Sequence, residues 1–333
     1  MMFVGGTMGV FGLMMLSLAH DYYQIFLSQG ICMGLGFGLL YVPSLALVSR
    51  SFKRLRAFAL GVSTSGAPAG GIVYTIIFEQ LEPKVGFAWT VRIMAFLMMA
   101  LFLAAFVLLM WKSTNTGNLN SGNTRRLYDK RAFTDIPFWS YTIANFCLFL
   151  GYLVPFYYIP TYGETVLHMS RSMALYALVV SQASSIIGRV GTTVFAHHFG
   201  SMIPWIACGM ISAVLCLCWI SATTVVGFMV FAAFYGGFSG ALIPLPPSVF
   251  PHVCPDPTVL GTWLGMAQAI GAFASLLGSP IGGALASIGA PADGTLNFLN
   301  IQLFSGIVML GGAFQLMGLW TLLYKLRDKK GLF

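Results

Sequence analysis

The 333-residue chain is 58% hydrophobic and 8% charged, with a net charge of +8 and a mean hydropathy of +0.84. An average soluble domain has about 25% charged residues, so this chain has too few to cover a globule of its size with solvated side chains. The composition disfavours a soluble enzyme, a disordered protein and a nucleic-acid binder. It predicts a multi-pass integral membrane protein.

Ten apolar runs are long enough to cross a bilayer, which takes roughly 20 residues per helix. They cover 1–19, 23–48, 57–78, 88–111, 136–161, 172–196, 202–222, 224–248, 260–288 and 300–324. Several runs are rich in glycine and proline, as are the tilted or broken helices of transporters. The predicted fold class is therefore an all-α membrane protein, a bundle of about ten transmembrane helices.

The basic residues predict how these helices are oriented. Of the 17 lysines and arginines, 13 lie in one set of alternate loops and at the C-terminus. They are Arg50, Lys53, Arg54, Arg56, Lys112, Arg125, Arg126, Lys130, Arg131, Lys325, Arg327, Lys329 and Lys330. The other loops hold only Lys84 and Arg171. Because short cytoplasmic loops collect Lys and Arg, both termini are predicted to be cytoplasmic, in what we expect to be the plasma membrane.

One polar segment divides the chain. Residues 112–135 are basic, rich in Asn, Ser, Thr and Gly, and without apolar periodicity, which is typical of a linker. The predicted domains are an N-terminal half of four helices at 1–111, a cytoplasmic linker at 112–135 and a C-terminal half of six helices at 136–333.

Four strings, in chain order, carry a resemblance to a known family. They are SFKRLRAFALG at 51–61, GFAWTVR at 86–92, GRVGTTVFAHHFG at 188–200, and PDPTVLGTWLGM at 255–266 with GSPIGGA at 278–284. Together they resemble the major facilitator superfamily and, within it, the fungal branch of the monocarboxylate porter family.

The resemblance implies a transporter bundle of 12 helices, in which the ten helices here correspond to helices three to twelve. The first two helices of the family then have no counterpart, and we expect a truncated gene model or a naturally shortened protein. The family moves small organic solutes by alternating access, with two helical halves rocking about a central cavity.

Arg189 is the leading candidate for solute binding. A guanidinium inside a membrane helix costs several kcal/mol unless it faces a cavity or a partner. The matching arginine of the family binds the substrate carboxylate, a role that the guanidinium suits because it offers two parallel donors. The alternative is that Arg189 snorkels toward the cytoplasmic end and pairs with helix C-terminal carbonyls. Some relatives have a proton-linked aspartate four positions earlier; Ser185 stands there, which disfavours that route of proton coupling.

Other polar side chains inside the predicted helices are candidates for the same site. They are Asn145, Gln182, Ser185, Tyr235 and Gln268. Each is equally able to hydrogen-bond a neighbouring helix.

A second set of residues is predicted to act in gating or topology. It comprises Lys53, Arg54, Arg56, Arg92, His197 and His198. The alternatives are that the basic cluster contacts lipid phosphates, that Arg92 packs at the outer end of its helix, and that the two histidines are solvated loop residues.

The sequence thus predicts a secondary transporter for a small organic, anionic solute, with efflux of a fungal secondary metabolite favoured over import. An importer of a monocarboxylate or vitamin is the alternative, and a non-transporting receptor or truncated remnant is an alternative of another class. No cluster of His, Cys, Asp or Glu indicates an enzyme or a metal site, so we expect no enzymatic activity and no cofactor. The expected partners are the solute and the lipid bilayer, with no nucleic acid.

Overall fold

The computed structural model describes residues 2–52, 55–115, 128–254, 256, 259–288 and 297–329. Across these ranges the chain is helical, without a strand, and eight helices are long and apolar enough to cross a membrane. The prediction of an all-α, multi-pass membrane protein is confirmed.

The first part of the chain contains the helices α1 (Met2–Leu16), α2 (Tyr22–Ile25), α3 (Gly34–Ser51), α4 (Arg56–Thr64) and α5 (Gly66–Asn115). Two irregularities interrupt them. A π-helical segment, Phe26–Met33, joins α2 to α3. Inside α5, Gly86 has φ 76° and ψ 167°, which breaks the helix into two.

The remaining helices belong to the second part of the chain, and three of them have side-chain caps. They are α6 (Ile136–Thr165), α7 (Arg171–Phe199), α8 (Met202–Cys218), α9 (Val225–Gly240), α10 (Leu245–Val249), α11 (Leu260–Ser287) and α12 (Phe298–Lys329). The side chains of Asp135, Ser170 and Thr224 accept backbone N–H groups in the first turns of α6, α7 and α9. These caps satisfy amides that have no partner within the helix.

Each of the ten predicted runs falls on helix, and two differences explain why the described residues contain eight long spans. Runs 57–78 and 88–111 are parts of one stretch of 56 residues, Arg56–Trp111. At about 1.5 Å per residue, this stretch is more than twice as long as a bilayer of about 30 Å is thick, so we expect the break at Gly86 to divide it into two crossings. Run 1–19 contains α1, which has only 15 residues.

The structure forms two compact units. Unit 1 comprises Met1–Ser51 and Val73–Arg125, and unit 2 comprises Phe52–Ile72 and Arg126–Phe333. Helix α4 and the start of α5 thus belong with the C-terminal helices. The domain boundaries at 111 and 136 stay a prediction, and residues 116–127 of the linker lie outside the described residues.

The two units have cores of different size. In unit 1, the buried side chains of Leu13, Leu16, Val91 and Ala95 form a small cluster between α1 and the second part of α5. In unit 2 the core extends through all of α6–α12 and is rich in aromatic rings.

A stack of aromatic rings fills part of the interior of unit 2. The ring centroids of Trp219 and Phe231 lie 5.2 Å apart at an interplanar angle of 13°, and those of Phe231 and Tyr235 lie 5.7 Å apart. Trp219 and Tyr235 are fully buried. Offset stacking adds about 0.5–1.5 kcal/mol per pair to the free energy of burial.

Segments that are distant in sequence meet at the two ends of unit 2. At one end, the Asp129 end, Trp263 Nε1 donates to Asp129 Oδ2 at 2.9 Å. At the other, the Trp219 end, Tyr162 packs on Trp219 and Phe298, and its hydroxyl donates to the Ala222 carbonyl.

Candidate functional site

Arg189 is buried inside unit 2 although it is charged. Its side chain is only 5% exposed. It lies on one face of α7 with Ser181, Ser185 and Thr193, all of them buried and spaced four residues apart. A charge in this position needs partners, because an unpaired ion away from water is costly.

The main partner of Arg189 is a backbone carbonyl at the end of α4. Its Nη1 donates to the Thr64 carbonyl oxygen at 2.5 Å. In a continuous helix this oxygen would accept the N–H of residue 68, but residue 68 is proline and has none. The alternative interpretation, that Arg189 pairs with carbonyls at a helix C-terminus, therefore describes this contact, although the helix is α4 and Arg189 is buried.

The guanidinium also lies near the side chain of Tyr152 on α6, close enough for an electrostatic interaction. The backbone carbonyl of Tyr152 in turn accepts the Tyr235 hydroxyl at 2.7 Å. Arg189, Tyr152 and Tyr235 thus form a connected group from α7, α6 and α9. Within the described ranges, the Nε of Arg189 has no hydrogen-bond partner.

Ser185 lies between two closely packed helices. A Cβ atom built on Gly240 of α9 would come 2.5 Å from Ser185 Oγ. The backbones of α7 and α9 approach closely along this line, because Gly236 faces the Ser181 carbonyl and Gly188 faces the Gly237 carbonyl. The Oγ of Ser185 is buried and has no partner among the described residues. In this conformation Ser185 is a packing residue, and its predicted role in solute binding stays a prediction.

The three remaining solute-site candidates lie in unit 2 as well. Asn145 is fully buried, and its Nδ2 donates to Gln268 Oε1 at 3.4 Å, which links α6 to α11. Gln182 is half-buried and lies beside Gly71, at the start of α5. The structure thus brings Arg189 together with Tyr235 through Tyr152, and Asn145 together with Gln268.

The predicted gating and topology residues are scattered. Arg56 begins α4 and is half-buried, while Lys53 and Arg54 lie outside the described residues. His197 and His198 are exposed in the last turn of α7, with ring centroids 5.3 Å apart.

Arg92 belongs to unit 1 and has local partners. Its Nε donates to Ser17 Oγ at 3.1 Å, and its guanidinium lies 5.0 Å from the Trp89 ring centroid. The cation–π contact and the hydrogen bond favour the packing interpretation for this residue. Its gating role stays a prediction.

Sequence reasoning missed the partners of Arg189 and a polar pocket at the Asp129 end. Pro68, four residues after Thr64, is a readable signal for a free carbonyl, but nothing in the sequence points from it to Arg189. The pocket has a volume of about 230 Å³ and is lined by Asp129, Arg131, Thr134, Asp135, Asp256, Val259 and Trp263. Nearby, burial raises the pKa of the Cys254 thiol.

Comparison with known proteins gives one family and many relatives. The model of the Major Facilitator Superfamily matches residues 1–255. The chain is 34% identical over 312 residues to the aspyridones efflux protein apdF of Emericella nidulans, covering 91% of this chain and 60% of that protein. It is 33% identical over 335 residues to the agnestins efflux protein AgnL12 of Paecilomyces divaricatus, covering 98% of this chain and 71% of the relative.

The fold resembles a solved transporter structure. The crystal structure of the transporter FucP in its outward conformation matches with a TM-score of 0.71 at 14% identity, over 96% of this chain and 82% of that chain. At this identity the likeness concerns the fold alone.

Proposed function

The chain belongs to the Major Facilitator Superfamily, and on this premise we propose that it is a secondary transporter that exports a small anionic metabolite by alternating access. The predicted superfamily is thereby confirmed, as is the prediction of a transporter-family protein instead of an enzyme. The chain spans 60% of the length of the aspyridones efflux protein, so transport by this chain itself is part of the proposal.

One observation supports the proposal that the solute is anionic: the guanidinium of Arg189 is buried, and its Nε has no hydrogen-bond partner in the described part of the chain. Its Nη1 contacts a neutral carbonyl oxygen. A carboxylate or enolate placed there would accept two parallel hydrogen bonds from Arg189, which are roughly twice as strong as neutral ones. The names of two relatives, both efflux proteins for secondary metabolites, support the direction of transport.

The narrower features remain part of the proposal. They are membership of the monocarboxylate porter family, a plasma-membrane location with cytoplasmic termini, and a division into halves at 1–111 and 136–333. Six side chains are proposed to contact the solute: Arg189, Asn145, Ser185, Gln182, Tyr235 and Gln268. Asn145, Ser185 and Tyr235 are fully buried here, so the solute would reach them only in another conformation. The motif strings and the distribution of Lys and Arg support these statements.

Gene deletion in the native host tests the function even while the solute is unidentified. We expect the deletion strain to release less of at least one acidic metabolite into the medium, as measured by untargeted mass spectrometry, and the wild-type gene to restore it. The Arg189→Ala variant should restore at most about one tenth, because a charge-assisted hydrogen bond contributes about 1.5–3 kcal/mol.

Arg171→Ala is the matched control, since Arg171 is an exposed arginine at the other end of the same helix. This variant should restore release in full, at an equal amount of protein in the membrane. Full restoration by Arg189→Ala would contradict the anion-binding role. If the amounts of all metabolites in the medium stay unchanged after deletion, transport is contradicted. If the amount of a metabolite in the medium rises instead, this would indicate import.

A further inference from the structure

The geometry points to Pro68 as a positioning residue for Arg189. In the solute-free protein, Pro68 leaves the Thr64 carbonyl without a helical N–H donor, so this carbonyl accepts a hydrogen bond from the Arg189 guanidinium. When the solute binds, its anionic group takes the place of the carbonyl. The replacement of the carbonyl by a solute rests on the proposed function, whereas the hydrogen bond between Arg189 and the Thr64 carbonyl does not.

The hydrogen-bond pattern where α4 meets α5 isolates one carbonyl. The Gly61 carbonyl accepts the Ser65 N–H, and the Ser65 carbonyl accepts the Ala69 N–H, as in a regular helix. Between them, the Thr64 carbonyl would need the N–H of residue 68, which is absent in proline. Because a buried carbonyl without a donor is costly, the donor from Arg189 satisfies a group that the helix cannot.

Close packing fixes the distance between this carbonyl and Arg189. A Cβ atom on Gly61 would lie 2.8 Å from the Arg189 carbonyl oxygen, and closer still to Thr193 Oγ1. Helix α4 therefore contacts α7 through bare backbone one turn before Thr64. Leu60 and Thr64 are buried on the same side, so α4 cannot rotate away without breaking this contact.

The carbonyl of Thr64 resembles a weak anion. Carbonyls at the C-terminal end of a helix carry the partial negative charge of the helix dipole, about half an elementary charge in total. A carboxylate carries a full charge and accepts two hydrogen bonds from one guanidinium, so it outcompetes the carbonyl when it reaches Arg189. Its binding would therefore free the end of α4.

This bond lies where the chain passes between the two compact units. Residues 66–72 of α5 belong to unit 2, and the helix continues as Val73 in unit 1.

Chemical modification of arginine in the purified full chain tests the hold in the absence of solute. Phenylglyoxal reacts with guanidinium groups that are free of hydrogen bonds, and peptide mass spectrometry reports the rate at each arginine. In Pro68→Ala, the backbone N–H of residue 68 can donate a hydrogen bond to the Thr64 carbonyl, where it competes with Arg189. We expect Arg189 to react at least threefold faster in this variant than in the wild-type protein in lipid nanodiscs.

Two controls separate positioning from loosening of the structure. Pro83→Ala restores an N–H in the same helix α5 but in unit 1, and it should leave the rate at Arg189 unchanged. Arg92 in unit 1 should react equally fast in all three proteins. Pro68→Ser, which restores the same N–H, should reproduce the result of Pro68→Ala.

An unchanged rate at Arg189 in both Pro68 variants would overturn the proposal, as would an equal acceleration at Arg92. Because no solute is present, failure of this test is independent of the proposed function. Conversely, normal export by Arg189→Ala would disprove anion binding and leave the contact between Thr64 and Arg189 in place.

Discussion

At the scale of single residues, glycines decide how closely α7 and α9 approach. Gly188 and Gly236 face backbone carbonyls of the opposite helix, and Gly240 faces Ser185. Between membrane helices the hydrophobic effect contributes little, so contact of this kind depends on van der Waals packing and on small residues. The buried serines add no hydrogen bond between these helices, since the Oγ atoms of Ser181 and Ser185 have no partner in the described ranges.

A single methyl group at this interface should therefore lower stability. In Gly236→Ala the new Cβ would clash with the backbone of Ser181, which cannot move as a side chain does. Overpacking costs about 1–3 kcal/mol, so the melting temperature in detergent should fall.

Gly191→Ala on α7 is the control, because a Cβ there meets nothing within 4 Å. It should be neutral or raise stability by up to about 1 kcal/mol, since alanine is the better helix former. Equal melting temperatures for the two variants would show that the close approach of α7 and α9 does not limit stability.

The residue scale also shows where sequence reasoning stops. Arg189 is identifiable because a guanidinium in an apolar run needs a partner, yet its partner is 125 residues away. A backbone carbonyl has no sequence signature of its own, and Tyr152 is one of 13 tyrosines in the chain. Only the packing of α4 and α6 on α7 selects them.

At the scale of elements, the ten runs were predictable because an apolar run of bilayer length is a strong compositional signal. The joining of two runs into α5 was not. Glu79, Glu82 and Lys84 separate these runs and suggest a loop, but the helix continues through them to Gly86. Charged side chains at a membrane surface do not disfavour helix, so the polarity of this segment marks the surface and not the end of the helix.

The break in α5 should depend on Gly86. Its backbone conformation, φ 76° and ψ 167°, is accessible almost only to glycine. A Cβ there meets nothing within 4 Å, so Gly86→Ala tests backbone strain alone. We expect a loss of about 1–3 kcal/mol of stability, visible as a lower melting temperature in detergent.

Gly38→Ala in α3 is the comparison for this prediction. It lies in the same unit, also has open space around it, and has no positive φ. This variant should melt at or above the wild-type temperature. If Gly86→Ala does the same, the strain at the break is negligible.

At the scale of the whole molecule, the distribution of Lys and Arg predicts an alternation of loops, which stays a prediction. Within unit 2, the structure brings segments that are distant in sequence together at two ends. Asp129 meets Trp263 at one end, and Tyr162 meets Phe298 at the other. The assignment of 52–72 to unit 2 was not readable, because the chain order places this segment among the first four predicted helices.

Accessibility of single cysteines tests the predicted orientation. Tyr128 at the Asp129 end and Thr223 at the Trp219 end are both exposed. In yeast cells expressing cysteine-free variants with one cysteine introduced, a membrane-impermeant maleimide should label Thr223→Cys in intact cells. It should label Tyr128→Cys only after permeabilisation, because the positive-inside rule places residue 128 in the cytoplasm. The reverse pattern would refute the orientation.

The glycine contacts between α7 and α9 also bear on how the gene can vary. Every missense change of a glycine codon by one nucleotide encodes a larger residue, from alanine and serine to arginine and tryptophan. At Gly188 and Gly236 each such change places atoms where a facing carbonyl already lies, whereas at Gly191 the same changes extend into open space. Three glycines open to the same kinds of mutation are thus exposed to very different selection, and the difference arises from the position of a neighbouring backbone alone.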